Sequence, residues 1–306
     1  MNKLHIPVLL GDILSMAEAM STAPQLMLDA TFGRGGHSIA LIEKFENLKV
    51  CGLDQDMAAI DYAKSEFAGL IENQKLEMAH GNFHNIKSDI SRFENTKPKG
   101  FDLILADLGV SSPQLDEASR GFSFQQKGPL DMRMDRSGEL TAKDIVNTWS
   151  EQELRDLFFH TGEVRKPGKV VSSILKFRKQ KLFETTLELS ELIAAKEGWR
   201  KKGQHPATKF FLALRIEVNR ELEPLDQALI DLVDRLNPLG RLMVITFHSL
   251  EDRIAKRTFK SQLEKGRLVN KKVIQATWDE KKKNARARSA KLRVFEKQEE
   301  QNEEES

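Results

Sequence analysis

The chain has 306 residues, longer than one average domain and short for three, so one large unit with an insertion or two domains is expected. Its 48 Lys and Arg nearly balance 46 Asp and Glu. With one cysteine, Cys51, it can form no intrachain disulfide, and it has neither a signal peptide nor a long apolar span, which points away from secreted and membrane classes and toward the cytoplasm.

From Gln25 the pattern alternates. An apolar strand "QLMLDA" is followed by a helix from His37 to about Phe45, a strand "KVCGLD", a helix from Gln55 to Ala68, and strands "KLEMAHGNF" and "FDLILAD". Strands alternating with helices predict a parallel sheet covered on both faces, an α/β Rossmann-like fold. Right-handed crossovers bring the carboxyl ends of these strands to one edge, where open α/β sheets bind ligands. Asp29, Asp54, Phe83 and Asp107 fall at that edge.

After Asp107 the rhythm stops. Residues 113–203 read as helices and loops, an inserted helical lobe, between halves 1–112 and 204–295 of the α/β domain. The rhythm resumes with a helical stretch over 205–236, opened by Pro206 and bent at Pro224. "NPLG" then reads as a turn, "RLMVITF" as a buried strand, and Ser249 to about Leu263 as a helix with Ser249 as N-cap. "RLVNKKVIQ" and "AKLRVFE" suit a closing antiparallel pair, and the acidic tail "EKQEEQNEEES" (296–306) is expected to be disordered.

Gly33, Gly35 and Gly36 lie between a strand and a helix, where bare backbone meets the electropositive helix terminus. A nucleoside cofactor fits there, although a tight turn would explain one of the glycines. Asp54 ends the second strand about 20 residues on, where a carboxylate can accept both ribose hydroxyls. A nicotinamide oxidoreductase would share these features, but the third glycine of its fingerprint would fall at Ser38. S-adenosylmethionine (SAM) has no pyrophosphate and needs no such glycine.

Asp107 opens a small-residue loop, "ADLGVSSPQL". Methylating an exocyclic amine on a base requires acceptors for its hydrogens, because its lone pair is delocalised into the ring. Asp107, the carbonyls from Leu108 to Ser112, and the hydroxyls of Ser111 or Ser112 are candidates, while Asp107 as a simple helix cap stays open. His248 reads equally as a base contact and as a turn residue. His80 and His84 do not form a metal pair, since Gly81 and Asn82 interrupt any helix, and no metal site is expected.

The runs "DATFGRGGHS", "DLGVSSPQLDEASRGFSFQQKGPLDMRMD", "HPAT", "RIEVNREL", "FHSLEDRIAKR" and "RARSAKLR" resemble the ribosomal RNA small-subunit methyltransferase H (MraW) family, from about His5 to Phe295. The resemblance implies a SAM-dependent class I methyltransferase acting on cytidine N4 in the P-site decoding region of 16S rRNA, with the assembled small subunit as partner. It carries SAM contacts onto Gly35, Gly36, His37, Asp54, Phe83, Asp107 and Gln114, with Asp107 serving the cofactor first. The run "HTGEVRKPGKVVSSIL" and Lys209 depart from the family pattern, in regions expected to touch RNA.

RNA binding is expected to be electrostatic and salt-dependent, through Arg165, Lys166, Lys169, Arg178, Lys201, Lys202, Arg286 and Arg288. A non-catalytic assembly factor on the same scaffold stays open as an alternative. The oligomeric state stays open too, a homodimer included.

Overall fold

The computed structural model describes residues 7–198 and 205–299. The chain divides into two compact units: one runs up to Gly109 and resumes at Glu223, and the other is Val110–Leu222.

The first unit is built on one sheet. Its strands are β1 (Leu26–Asp29), β2 (Lys49–Asp54), β3 (Leu76–His80), β4 (Phe101–Asp107), β5 (Leu236–Thr246), β6 (Gly266–Leu268), β7 (Ile274–Gln275) and β8 (Lys291–Lys297). They lie in the order β3-β2-β1-β4-β5-β8-β6, with β7 also paired to β8. The first five are mutually parallel, and β8 runs antiparallel to β5, β6 and β7.

Parallel strands covered on both faces need apolar side chains at successive positions. Met27, Val50, Leu103, Leu105, Met243 and Ile245 join Leu9, Ile13 and Leu41 in one core. Their neighbours Leu28, Cys51, Ile104 and Val244 point to the opposite face and are equally buried. Each such large side chain contributes roughly 1.5–3 kcal/mol when withdrawn from water. The expected parallel sheet is therefore present, closed by the predicted antiparallel strands near the chain's end.

Three expectations are corrected in this unit. "NPLG" is no separate turn: β5 begins at Leu236 and carries a register shift opposite Phe101 and Leu103, with Leu239 at φ 61°. The helix Ser249–Ser261 is capped by His248, whose Nδ1 accepts the Glu251 N–H at 3.4 Å. Glu296 belongs to β8 and is buried, held by Arg241 and Arg267, because a carboxylate between two guanidiniums is better placed there than in a solvated tail. Residues 300–306 of the expected tail lie outside the described residues.

The second unit has its own core, with Phe122, Met132, Met134, Ile145, Phe158, Ile174, Phe183, Leu189, Phe210 and Leu214 all buried. Capping boxes start its helices Ser112–Asp116, Ala142–Thr148, Glu151–Asp156 and Thr186–Glu197. The buried Arg120 donates through Nη2 to the carbonyls of Arg133 and Met134, each at 3.0 Å, which pins the irregular segment after it.

The stretch 205–236 is two helices, Thr208–Val218 and Leu225–Asp234, and the division between units falls between them rather than at 203/204. Phe210, Phe211 and Leu214 commit the first helix to the lobe core. Asn219 then bonds Met132 O and Met134 N, Arg220 adopts φ 48°, and a two-point Arg215–Glu221 pair closes the turn. The other boundary falls at 109/110, three residues before the expected one.

Candidate functional site: a carboxylate edge at the strand ends

β1, β2 and β4 each end in an aspartate, and the three carboxylates do different things. Asp29 is buried. It accepts Ser38 Oγ at 2.6 Å and Thr31 N at 3.2 Å, fixing the first turn of the helix Gly36–Lys44 against the strand it follows. Burial pushes its pKa up to about 6, against the pull of those two donors.

Asp54 spans the glycine loop. Its Oδ2 accepts Gly33 N at 2.7 Å and its Oδ1 accepts Asp56 N at 2.8 Å. Each oxygen keeps a second lone pair, so the carboxylate holds the loop and still has acceptors for a ribose. Burial raises its pKa to about 6 as well.

The glycines are explained first by packing. Gly35 caps the helix at φ 72°, and a Cβ there would stand 2.6 Å from the Phe32 ring. A Cβ on Gly36 would stand 2.4 Å from Pro7 Cγ. The loop is thus pressed between the β1 end and the N-terminal segment. His37 extends the same contact, its Nε2 lying 2.9 Å from Val8 O. In that pairing Nε2 carries the proton, and Nδ1 faces Asp107 Oδ2 at 3.8 Å.

Asp107 is the least compensated of the three. Its N–H donates to Thr31 Oγ1 at 2.7 Å, but its Oδ1 is buried without a hydrogen-bond partner. Burial, then Asp29, then Glu251 push its pKa up to about 8. Glu251 itself is buried, accepting Phe247 N at 2.8 Å and His248 N at 3.3 Å through Oε2. Gly109, at φ 143°, lets the chain leave β4 against the Phe247 ring. Asp29, Asp107 and Glu251 thus gather three carboxyl groups at this edge, and a cation placed there would favour the ionised form of Asp107.

Phe83 is buried in a short helical turn after β3, its ring 4.4 Å from that of His84. His80, at the end of β3, bonds Gln55 O. Asn82 Nδ2 reaches Gln55 Oε1 at 2.8 Å, which ties the segment after β3 to the segment after β2.

In the second unit, Ser111 caps the helix Ser112–Asp116, and Gln114 Oε1 accepts Ser111 N at 2.9 Å. Gln114 is buried in that capping role. Arg165, Lys166 and Lys169 are exposed there, whereas Arg178 is half-buried and donates to Val146 O at 2.9 Å. In the first unit, Arg288 is exposed and Arg286 half-buried. Lys201 and Lys202 lie outside the described residues.

Asp29, Glu251 and Thr31 were not singled out as site residues from the sequence. Asp29 carried the signal of a strand-ending acid. Glu251 carried only the three-residue spacing of a capping box after His248.

The strand order, the carboxylate after β2 and the acidic edge around Asp107 define a SAM-dependent class I methyltransferase. The residues present fit that donor: a carboxylate for the ribose, an aromatic ring after β3, and buried carboxyls, one with an orphaned oxygen, to meet a sulfonium and an ammonium. The chain belongs to the MraW methylase family, which it matches over residues 2–298. It is 48% identical over 294 residues to the ribosomal RNA small subunit methyltransferase H of Bdellovibrio bacteriovorus, covering 96% of this chain and 88% of that one. It is 45% identical over 272 residues to the protein of the same name from Synechococcus elongatus, covering 88% and 87%. Among solved structures, a putative rRNA-methylase from Clostridium thermocellum aligns over 96% of this chain and all of that one, with a TM-score of 0.47 and 13% identity. Among the described residues no helix is long and apolar enough to cross a membrane.

Proposed function

We propose that this chain methylates ribosomal RNA of the small subunit, transferring the methyl group of SAM to the N4 amine of one cytidine in the P-site decoding region. The reading is supported by family membership together with relatives named for small-subunit rRNA. The single observation that carries it to chemistry is the orphaned carboxyl oxygen of Asp107 at the acidic edge.

SAM, when bound, supplies an electrophilic methyl on a cationic sulfur. Asp54 would hold its ribose, Phe83 its adenine, and Gly35, Gly36 and His37 would form the wall beside its amino-acid end. Asp107 offers the negative charge that a sulfonium favours, and the proton it carries near neutral pH leaves as that charge is met. The chain's part in catalysis is then orientation. Acceptors must localise the amine's lone pair for in-line attack, and the carbonyls that follow Asp107, with Ser111 or Ser112, are assigned that role. The methylated amine is acidic while cationic and yields its proton to water, so no general base is required. His248 is assigned to its helix cap, where it accepts the amide of Glu251, the residue that holds the Phe247 and His248 amides, rather than to a contact with the base.

The test is methyl transfer from labelled SAM to small subunits from a strain lacking this gene, with the nucleosides read by mass spectrometry. N4-methylcytidine formed by the wild type and lost in Asp54→Ala is the expected result. SAM binding without transfer at any assembly stage would replace this reading with a non-catalytic assembly factor.

A further inference from the structure

Among the described residues the most exposed large apolar side chain is Trp278, at 72% of its full accessibility. It opens a six-residue helix, Trp278–Lys283, whose last turn is three consecutive lysines. Lys282 Nζ stands 5.1 Å from the indole centroid, a cation–π contact that leaves most of the ring bare. Arg288 follows in the next turn, its Nε bonded to Lys281 O. The indole stands in water with Asp279 and Glu280 in its own turn and the lysines in the next, which leaves a bare aromatic face beside cations.

The segment is rigidly held. Ala276, Ala287 and Ala290 on either side of it are buried in the sheet's core. Thr277 caps the helix through Glu280 N, and Asn284 Oδ1 takes Arg286 N.

Its place in the fold is fixed by register. β8 begins at Lys291 opposite Thr246, where β5 ends, and β7 pairs Gln275 with the same Lys291. Residues 276–290 therefore emerge at the sheet edge where β1, β2 and β4 end in Asp29, Asp54 and Asp107. A direct link confirms the proximity. Glu280 Oε1 accepts Leu9 N at 2.7 Å, and the adjacent Val8 carbonyl bonds His37, which faces Asp107.

We infer that Trp278 is a stacking platform for an unpaired base of the RNA, with Lys282, Lys283 and Arg288 holding the phosphates that flank it. This rests on the proposed action on RNA and adds to it the element that seats the strand beside the methyl-transfer edge. Unpaired bases stack on aromatic faces whatever their sequence, and cations beside the ring track the backbone. A folded protein partner would be expected to bury the indole within a larger apolar patch, and the residues around Trp278 are charged.

The test uses the full chain with Trp149→Phe and Trp199→Phe, so that Trp278 is the only one of the three tryptophans left to fluoresce. Short single-stranded oligoadenylate should quench its emission, while polyphosphate should bind without quenching. Trp278→Ala in the native chain should weaken oligoadenylate about tenfold or more, Trp278→Phe should restore most of that, and SAM affinity should stay unchanged. Binding of oligoadenylate by Trp278→Ala as tight as wild type, or its failure to quench, overturns the platform. Quenching without methyl transfer to small subunits would instead leave the platform standing and sink the proposed reaction.

Discussion

Replacing Asp107 with asparagine keeps its shape and removes its ability to ionise. The folded-state pKa of about 8 lies far above the ordinary 3.8, so the fold binds this proton more tightly than the unfolded chain does. The contribution of this group to stability is then greatest below about pH 4 and falls as pH rises toward 8. At pH 7 the gap from 3.8 is about three units, an upper bound of roughly 4 kcal/mol at about 1.4 kcal/mol per unit. The side chain keeps 27% of its exposure, and water there brings the expected cost to roughly 2 kcal/mol. Asp107→Asn should therefore raise the melting temperature of the ligand-free protein at pH 7–8 by about 5 °C and flatten its pH dependence. The same variant should bind SAM at least tenfold more weakly, yet lose little affinity for S-adenosylhomocysteine, whose sulfur is neutral. Thermal melts across pH 5–8, with calorimetry of both ligands, check the argument. A variant less stable than wild type at pH 8, or one that weakens both ligands equally, refutes it.

Asp54→Ala should abolish measurable SAM binding and also loosen the glycine loop, since the Gly33 and Asp56 amides lose their acceptor; ligand-induced thermal stabilisation reads the first effect and amide exchange at Gly33 the second. Gly35→Ala forces a methyl onto Phe32 at positive φ and should cost about 1–3 kcal/mol in chemical denaturation. Glu296→Ala strands the buried Arg241 and should destabilise the sheet unit by about 3–5 kcal/mol, with Glu296→Gln recovering part of it; denaturant midpoints decide. Arg120→Ala removes donors from the Arg133 and Met134 carbonyls and should lower stability by about 2 kcal/mol, with exchange protection lost first at Met132–Met134.

The strands were legible because a parallel sheet buried on both faces writes itself as short apolar runs, and each run here stops at a polar residue where the chain leaves the core. That also exposed Asp54 and Asp107. Glu251 was hidden, because its effect on Asp107 comes from the helix after β5, with the whole inserted lobe lying between the two in sequence. His248 was read as preceding the cap because histidine is an uncommon one; its ring nitrogen takes the place of a serine hydroxyl. The bend expected at Pro224 is present, since Pro224 caps Leu225–Asp234, but the first helix already ends at Asn219: "RIEVNREL" keeps helical spacing, and only the lobe's Met132 and Met134 backbone recruits the asparagine. Glu296 sits in an acidic run, and only the guanidiniums across the sheet separate it from the residues that follow.

The insertion of Val110–Leu222 between β4 and the helix that leads to β5 sets an order of events as the chain is made. A ribosome delivers β1 to β4 first, then the entire lobe, and only afterwards the central β5 and the closing β8. The lobe, with a core of its own, can fold while the sheet still lacks its inner neighbour. Once folded, it replaces a long floppy loop with a compact body and lowers the entropic barrier to pairing β4 with β5. A nascent chain released before Lys291 would carry a finished lobe and the whole glycine loop, yet would leave β5 with an open edge.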